Sequence, residues 1–200
     1  MDPTARKFVA MTAAEFLATD QAEFGDAWRY ELDEGVIVAH VAPSPEHGAI
    51  LSMLNVAIET RLRARGRGGC RFEAGSGAAP GKQQRPTAKI PDGMVRSGQH
   101  PRVTFDVVSP SELRNIRTRD RRRAQLQDID GVQEVVEIYQ HVPAVHTYRR
   151  QEDGGWEFVP VNGLECALEL KSIDMSIPLA EIYETVTLRP DDEDPHEEQR

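Results

Sequence analysis

Between Ser44 and Gly66 the apolar residues Ile50, Leu51, Leu54, Ile58 and Leu62 recur at helical spacing. Ser44 suits a helix cap, Pro45 suits the first helical position, and Gly66, Gly68 and Gly69 end the run. Propensity alone stabilises such a helix weakly, so its apolar side must be buried against a second layer. The segments before and after it are rich in β-branched and aromatic residues, and they supply that layer as strands.

Trp28–Leu32 and Val36–Val41, divided by Asp33-Glu34-Gly35, read as a hairpin. Cys70–Glu73 reads as a strand, and 75–88, rich in Gly, Ala, Pro and Gln, as a mobile loop. Ile90–Val95 and Arg102–Val108 are two further strands joined by 96–101. Ser109-Pro110-Ser111 leads into an arginine-rich helix through about Asp130, which Gly131 stops. Glu134–Tyr139, Ala144–Arg150 and Trp156–Val161 read as antiparallel strands, with a further short strand at Ala167–Leu170. Thr12 and Glu15 have the spacing of a capping box at the start of a short helix, and Ile177–Tyr183 reads as a terminal helical turn. The pattern predicts an α/β chain of the α+β type, a mixed sheet flanked by helices. One domain is expected over 11–188, between an N-terminal tail at 1–10 and an acidic, disordered tail at 189–200.

Hydrophobic residues at 39% and charged residues at 28% fit a globular chain and exclude a disordered or membrane-spanning one. The first residues lack the apolar stretch of a secretory signal. Cys70 and Cys166 are far apart with no ligand spacing, so they read as free thiols and the cytoplasm is the expected compartment. The net charge of −9 argues against nucleic acid, but its distribution does not. The six acids after Pro190 against Arg200 put −5 on the tail and leave −4 on residues 1–189. Arg61, Arg63, Arg65 and Arg67 form one basic run, and Arg114, Arg117, Arg119, Arg121, Arg122 and Arg123 a denser one. Such runs are either solvated helix faces or patches that meet phosphates. Arg114, Arg117, Arg121 and Arg122 are the candidate nucleic-acid contacts.

Two aspartates carry the candidate chemistry. If Ile90–Val95 and Arg102–Val108 form a hairpin centred near residues 98–99, Asp92 and Asp106 fall almost opposite each other. Two carboxylates that close repel unless a cation lies between them, and magnesium, which takes oxygen ligands, suits the position. Such an ion orients water and stabilises charge on a scissile phosphate. Ile90-Pro91-Asp92-Gly93 is also a good β-turn sequence, so Asp92 is open to a purely local role. Asp106 lies inside an apolar strand, where an ionisable group needs a partner. Glu31, between Tyr30 and Leu32, either adds a carboxylate to the site or pairs with an arginine. His47 either faces the same cleft or simply occupies the first turn of its helix.

Six short segments carry a resemblance, in order: Tyr30-Glu31-Leu32 with Gly35, Pro43-Ser44-Pro45-Glu46-His47, Pro91-Asp92, Asp106-Val107-Val108-Ser109-Pro110-Ser111, the arginine helix, and Gly131-Val132-Gln133-Glu134. Each is weak alone, but the ordered set resembles the Uma-two family of restriction-endonuclease-like proteins from about Met11 to Val186. The resemblance implies the fold of PD-(D/E)xK nucleases and cleavage of nucleic-acid phosphodiesters, with DNA as the expected substrate and Mg2+ or Mn2+ as cofactor. It implies Asp92 and Asp106 as metal-binding acids, Glu31 and His47 as assisting residues, and a homodimer as a plausible assembly. The family's second acid is usually glutamate, and its lysine lies on the next helix. Counting back from Gly131 puts that position at Arg123, with Arg122 adjacent. Arginine stabilises a phosphate but is a poor proton shuttle. Gly93 replaces the usual hydrophobic residue after Pro-Asp. The alternative function is a nucleic-acid-binding module or interaction protein that kept the fold without turnover.

Overall fold

The structure is a computed structural model describing residues 7–8, 11–81 and 84–188. The expected tails at 1–10 and 189–200 lie outside these residues except for Lys7–Phe8. The elements in chain order are β1 (Lys7–Phe8), α1 (Ala13–Ala18), a 3-10 turn (Gln21–Phe24), β2 (Arg29–Asp33), β3 (Val36–His40), α2 (Pro45–Ala64), β4 (Cys70–Ala74), β5 (Gly93–Ser97) and β6 (His100–Val108). Then follow α3 (Pro110–Leu113), α4 (Ile116–Gln127), β7 (Glu134–Tyr139), β8 (Ala144–Arg150), β9 (Trp156–Asn162), β10 (Ala167–Leu170), a 3-10 turn (Lys171–Ile173), β11 (Met175–Pro178) and α5 (Leu179–Ile182).

A six-stranded mixed sheet runs in the order β4-β5-β6-β7-β8-β9. Its neighbours are antiparallel except β6 and β7, which pair in parallel because α3 and α4 cross between them. Ser44 caps α2 by accepting from the His47 amide at 3.2 Å. The apolar stripe then does what its spacing predicts: Ile50, Leu54, Ile58 and Leu62 pack with Val103, Phe105, Val107, Val136 and Ile138 on one face of the sheet. Each such buried side chain contributes roughly 1.5–3 kcal/mol relative to exposure. The hairpin β10–β11 and α5 extend this core through Leu168, Leu170, Ile177, Leu179 and Ile182.

The alternation of β-strands sends Thr104, Asp106 and Val108 to the opposite face. Their partners in register are Val135, Glu137 and Tyr139, and Glu137 in turn faces His146 on β8. Leu126, the buried residue of α4, packs there with Met94 and Val135. A separate sheet, β1-β3-β2, has its own core of Phe16, Tyr30, Leu32, Ile37, Ala88 and Ile90.

Four expectations need correction. The arginine segment is two helices, and α4 ends at Gln127 instead of near Asp130, while Gly131 takes φ +90°. Asp92 lies just before β5, not within a strand. The segment 75–88 is tied down: Ala78 bridges Lys89, and Ala88 bridges Leu32. Residues 175–178 form a strand before the terminal turn.

Candidate functional site

The centre of the site is a guanidinium held between two carboxylates. Arg122 on α4 donates from Nη1 to both Glu31 oxygens at 2.7 Å. It donates from Nε and Nη2 to the Asp106 oxygens at 2.6 and 3.0 Å, and from Nη2 to the Ile90 carbonyl at 3.2 Å. This is the fork geometry in which arginine binds carboxylates most strongly. Glu31 is 2% exposed and also accepts from the Ile90 amide at 2.9 Å and the Lys89 ammonium at 3.4 Å. His40 Nε2 lies 3.4 Å from Glu31. Burial pushes the Glu31 carboxyl up, but the charges of Arg122 and Lys89 hold it well below the usual range. Burial likewise opposes the charge on Arg122, and Asp106 and Glu31 more than restore it.

Asp92 reaches this centre from the other side. Gly93 pairs with Phe105, so the register brings Asp92 beside Asp106 as the hairpin spacing predicts. The Asp92 amide donates to Asp106 Oδ1 at 3.3 Å. Its carboxylate accepts from the Val107 amide and from Arg29 Nη1, both at 2.8 Å, and His47 Nε2 lies 3.2 Å away. Burial disfavours its charge; His47 and Arg29 overcome that and lower the pKa strongly. His47 therefore turns into the acids from the first turn of α2. Gly93 has a steric reason: a Cβ there would come within 2.5 Å of the Phe72 ring. Phe72 thus fills the space a hydrophobic residue after Pro-Asp would need.

The structure places Arg122 at the acids and Arg123 elsewhere. Arg123 donates to Glu137 at 3.2 Å and Asp120 at 2.7 Å and stacks over Tyr148 at 4.3 Å. Counting back from Gly131 points to Arg123, with Arg122 adjacent; it is Arg122 that the helix turns toward Glu31 and Asp106. The basic candidates divide. Arg121 pairs with Asp33 and Glu34 at 3.2 and 3.0 Å, and Arg122 is consumed by the acids. Arg114 and Arg117 are exposed and make no ion pair with the described residues. The run at 61–67 is spent on Glu181, Glu59 and Asp174. A cleft of about 350 Å³ between the β2–β3 hairpin and α4 is lined by Arg29, Glu31, Lys89, Arg117, Arg121 and Arg122.

Sequence reasoning missed Lys89, Arg29 and Glu137. Lys89 and Glu137 carried the signal used for Asp106, a charged residue inside an apolar run: Ala88-Lys89-Ile90 and Val136-Glu137-Ile138. Arg29 carried none.

The oxygen donors Glu31, Asp92 and Asp106 are chemically of the kind magnesium takes. Their arrangement does not fit a divalent ion, because Arg122 fills the space between Glu31 and Asp106 while Arg29 and His47 face Asp92. Among the described residues no group of three or more His, Cys, Asp or Glu is spaced to hold a metal. No helix among them is long and apolar enough to cross a membrane.

A crystal structure from Anabaena variabilis, described as a putative nuclease belonging to DUF820, superposes with a TM-score of 0.65 at 18% identity over 87% of this chain and 98% of that chain. That likeness shows the nuclease-type fold. No curated protein matches the chain. The family model described as "Putative restriction endonuclease" matches residues 13–180, spanning all the acids, Arg122 and His47. The chain belongs to this family, Uma2.

Proposed function

We propose that this protein binds nucleic acid through the cleft between the β2–β3 hairpin and α4, with its acidic centre held closed by Arg122. The observation that carries the reading is the Arg122 fork on Glu31 and Asp106. It places a permanent cation between the two acids. Arg117, unpaired on the cleft wall, and Arg114 nearby supply the phosphate contacts. Arg122, whose charge is spent on the acids, holds the β2–β3 hairpin to the sheet.

A second reading, metal-dependent endonuclease, is favoured by the family match and by Arg122 bonding both Glu31 and Asp106, with the Asp92 amide bonded to Asp106. Under it Glu31 and Asp106 would hold a divalent ion only once Arg122 had left them, and Arg122 would then be free to stabilise a phosphate. One experiment separates the two. Plasmid and single-stranded DNA are incubated with the parent, Arg122→Lys and Arg123→Lys, with magnesium or manganese. The binding-module reading expects DNA binding by all three and no cleavage by the parent. Metal-dependent cleavage by the parent, lost in Asp106→Asn, overturns it in favour of the nuclease.

A further inference from the structure

Trp28 stands just before β2 and is 63% exposed, so most of its indole faces water. It lines two hollows. One, of about 460 Å³, extends from Trp28 and Pro43 to Ser109 and His141. The other, of about 440 Å³, lies against the first turns of α2, between Trp28, His47, Gly48, Leu51 and Gly75. Arg29 lines both hollows and also the cleft under α4, and His40 and Glu112 are shared by that cleft and the first hollow. The three spaces therefore adjoin and form one trough with Arg117 at one end and Trp28 at the other. Its acids are engaged: Asp92 by Arg29 and His47, Glu31 by Arg122, Asp33 by Lys89 and Arg121, and Glu112 by the cap of α3. Arg117 is left as the unpaired cation.

A second feature points to an occupant beside the indole. Gly48 lies inside α2, where glycine weakens the helix relative to alanine. Neither packing nor backbone calls for it: it has no positive φ, and a Cβ there would meet nothing within 4 Å. What glycine does keep is the open space of the second hollow, next to the Trp28 ring. A flat group stacked on the indole needs that space. Bases stack on aromatic side chains with little regard to sequence, because every base has a π-face. In a duplex those faces are hidden inside the stack, so only an unpaired base can reach Trp28.

We propose that Trp28 stacks on an unpaired base, so that the trough takes a single nucleic-acid strand in preference to a duplex. The inference rests on the nucleic-acid reading above and adds the form of the strand. Fluorescence anisotropy compares three labelled probes with the full chain: a deoxythymidine oligonucleotide, a duplex of the same length, and a strand of that length whose sugars carry no base. The oligonucleotide should bind roughly tenfold or more tightly than either of the others, the scale of one base stacked on an aromatic ring. Trp28→Ala should abolish that preference with the melting temperature unchanged, since the ring is exposed, and Trp28→Phe should keep most of it. Gly48→Gln, which puts a side chain into the second hollow, should abolish it as well. Equal affinity for the base-free strand, or a preference that survives either Trp28→Ala or Gly48→Gln, overturns the stack and leaves the cleft reading standing. A preference that depends on Trp28, with binding untouched when Arg114 and Arg117 are both replaced by Ala, removes the cleft reading and keeps the stack. A parent that binds none of the three probes at low salt overturns both.

Discussion

Arg122 is the residue on which the centre depends. It is a largely buried cation serving the buried Glu31 and the half-buried Asp106, and removing one partner of such a set leaves charge uncompensated. Arg122→Ala should therefore cost about 3–5 kcal/mol of stability, read as the shift in urea midpoint. Arg123→Ala, which leaves the acids paired, should cost clearly less. The acids also fix the direction of pH dependence. Glu31 and Asp92 have pKa values lowered on folding, so below the ordinary carboxylate range the unfolded chain binds more protons than the folded one. Their stabilisation is complete above about pH 4 and is lost as pH falls through the depressed folded values. Melting temperatures measured downward from pH 5 should fall steadily, and Asp92→Asn should make the fall shallower. At this scale the need of Asp106 for a partner was legible because it lies inside an apolar strand, and Glu31 was legible only as one of two options, of which the pairing with an arginine is what the structure has. Arg122 was not distinguishable from Arg123, since the two are adjacent and only the rotation of α4 against the sheet decides which of them faces the acids.

Among the elements, α2 was fully legible, because its stripe, cap and stop all agree. The hairpin β5–β6 was legible as a pair, and its register brought Asp92 to Asp106. The parallel pairing of β6 with β7 was not, since parallel and antiparallel strands share one apolar pattern when both faces are covered. Two expectations belong here. Gly93→Val forces a side chain against Phe72 and should cost roughly 1–3 kcal/mol by overpacking. Adding Phe72→Ala should recover part of that loss, because it opens the same space. Along the arginine segment, only Arg114 and Arg117 are free for phosphates. Replacing both by Ala should reduce the slope of log affinity for duplex DNA against log salt by about 1.8, as roughly 0.9 per contact implies. Arg121→Ala should leave that slope nearly unchanged, because its charge is already met by Asp33 and Glu34.

At the scale of the whole molecule, the described residues form four apolar clusters, and the two largest meet across the acids. The larger core joins α2 to the six-stranded sheet, and the smaller one joins Phe16, Tyr30, Leu32 and Ile37 to Ala88 and Ile90. The mixed sheet with flanking helices was legible from the order of elements, while this division was not, because it depends on which strands share a sheet. Across the division run the Glu31–Arg122, Arg29–Asp92 and Arg121–Asp33 ion pairs and the hydrogen bond from Gln125 to Asp33 at 2.7 Å. The acids are thus a latch as well as a site: the forces that close the centre also fasten the small sheet to the large one. Such a joint opens as a unit before the sheet behind it melts. Amide exchange in mild acid should be faster at β2 and β3 than at β6 and β7, and Arg122→Ala should produce that difference at neutral pH. Any ligand that draws Arg122 away from Glu31 must then loosen the small sheet as it binds.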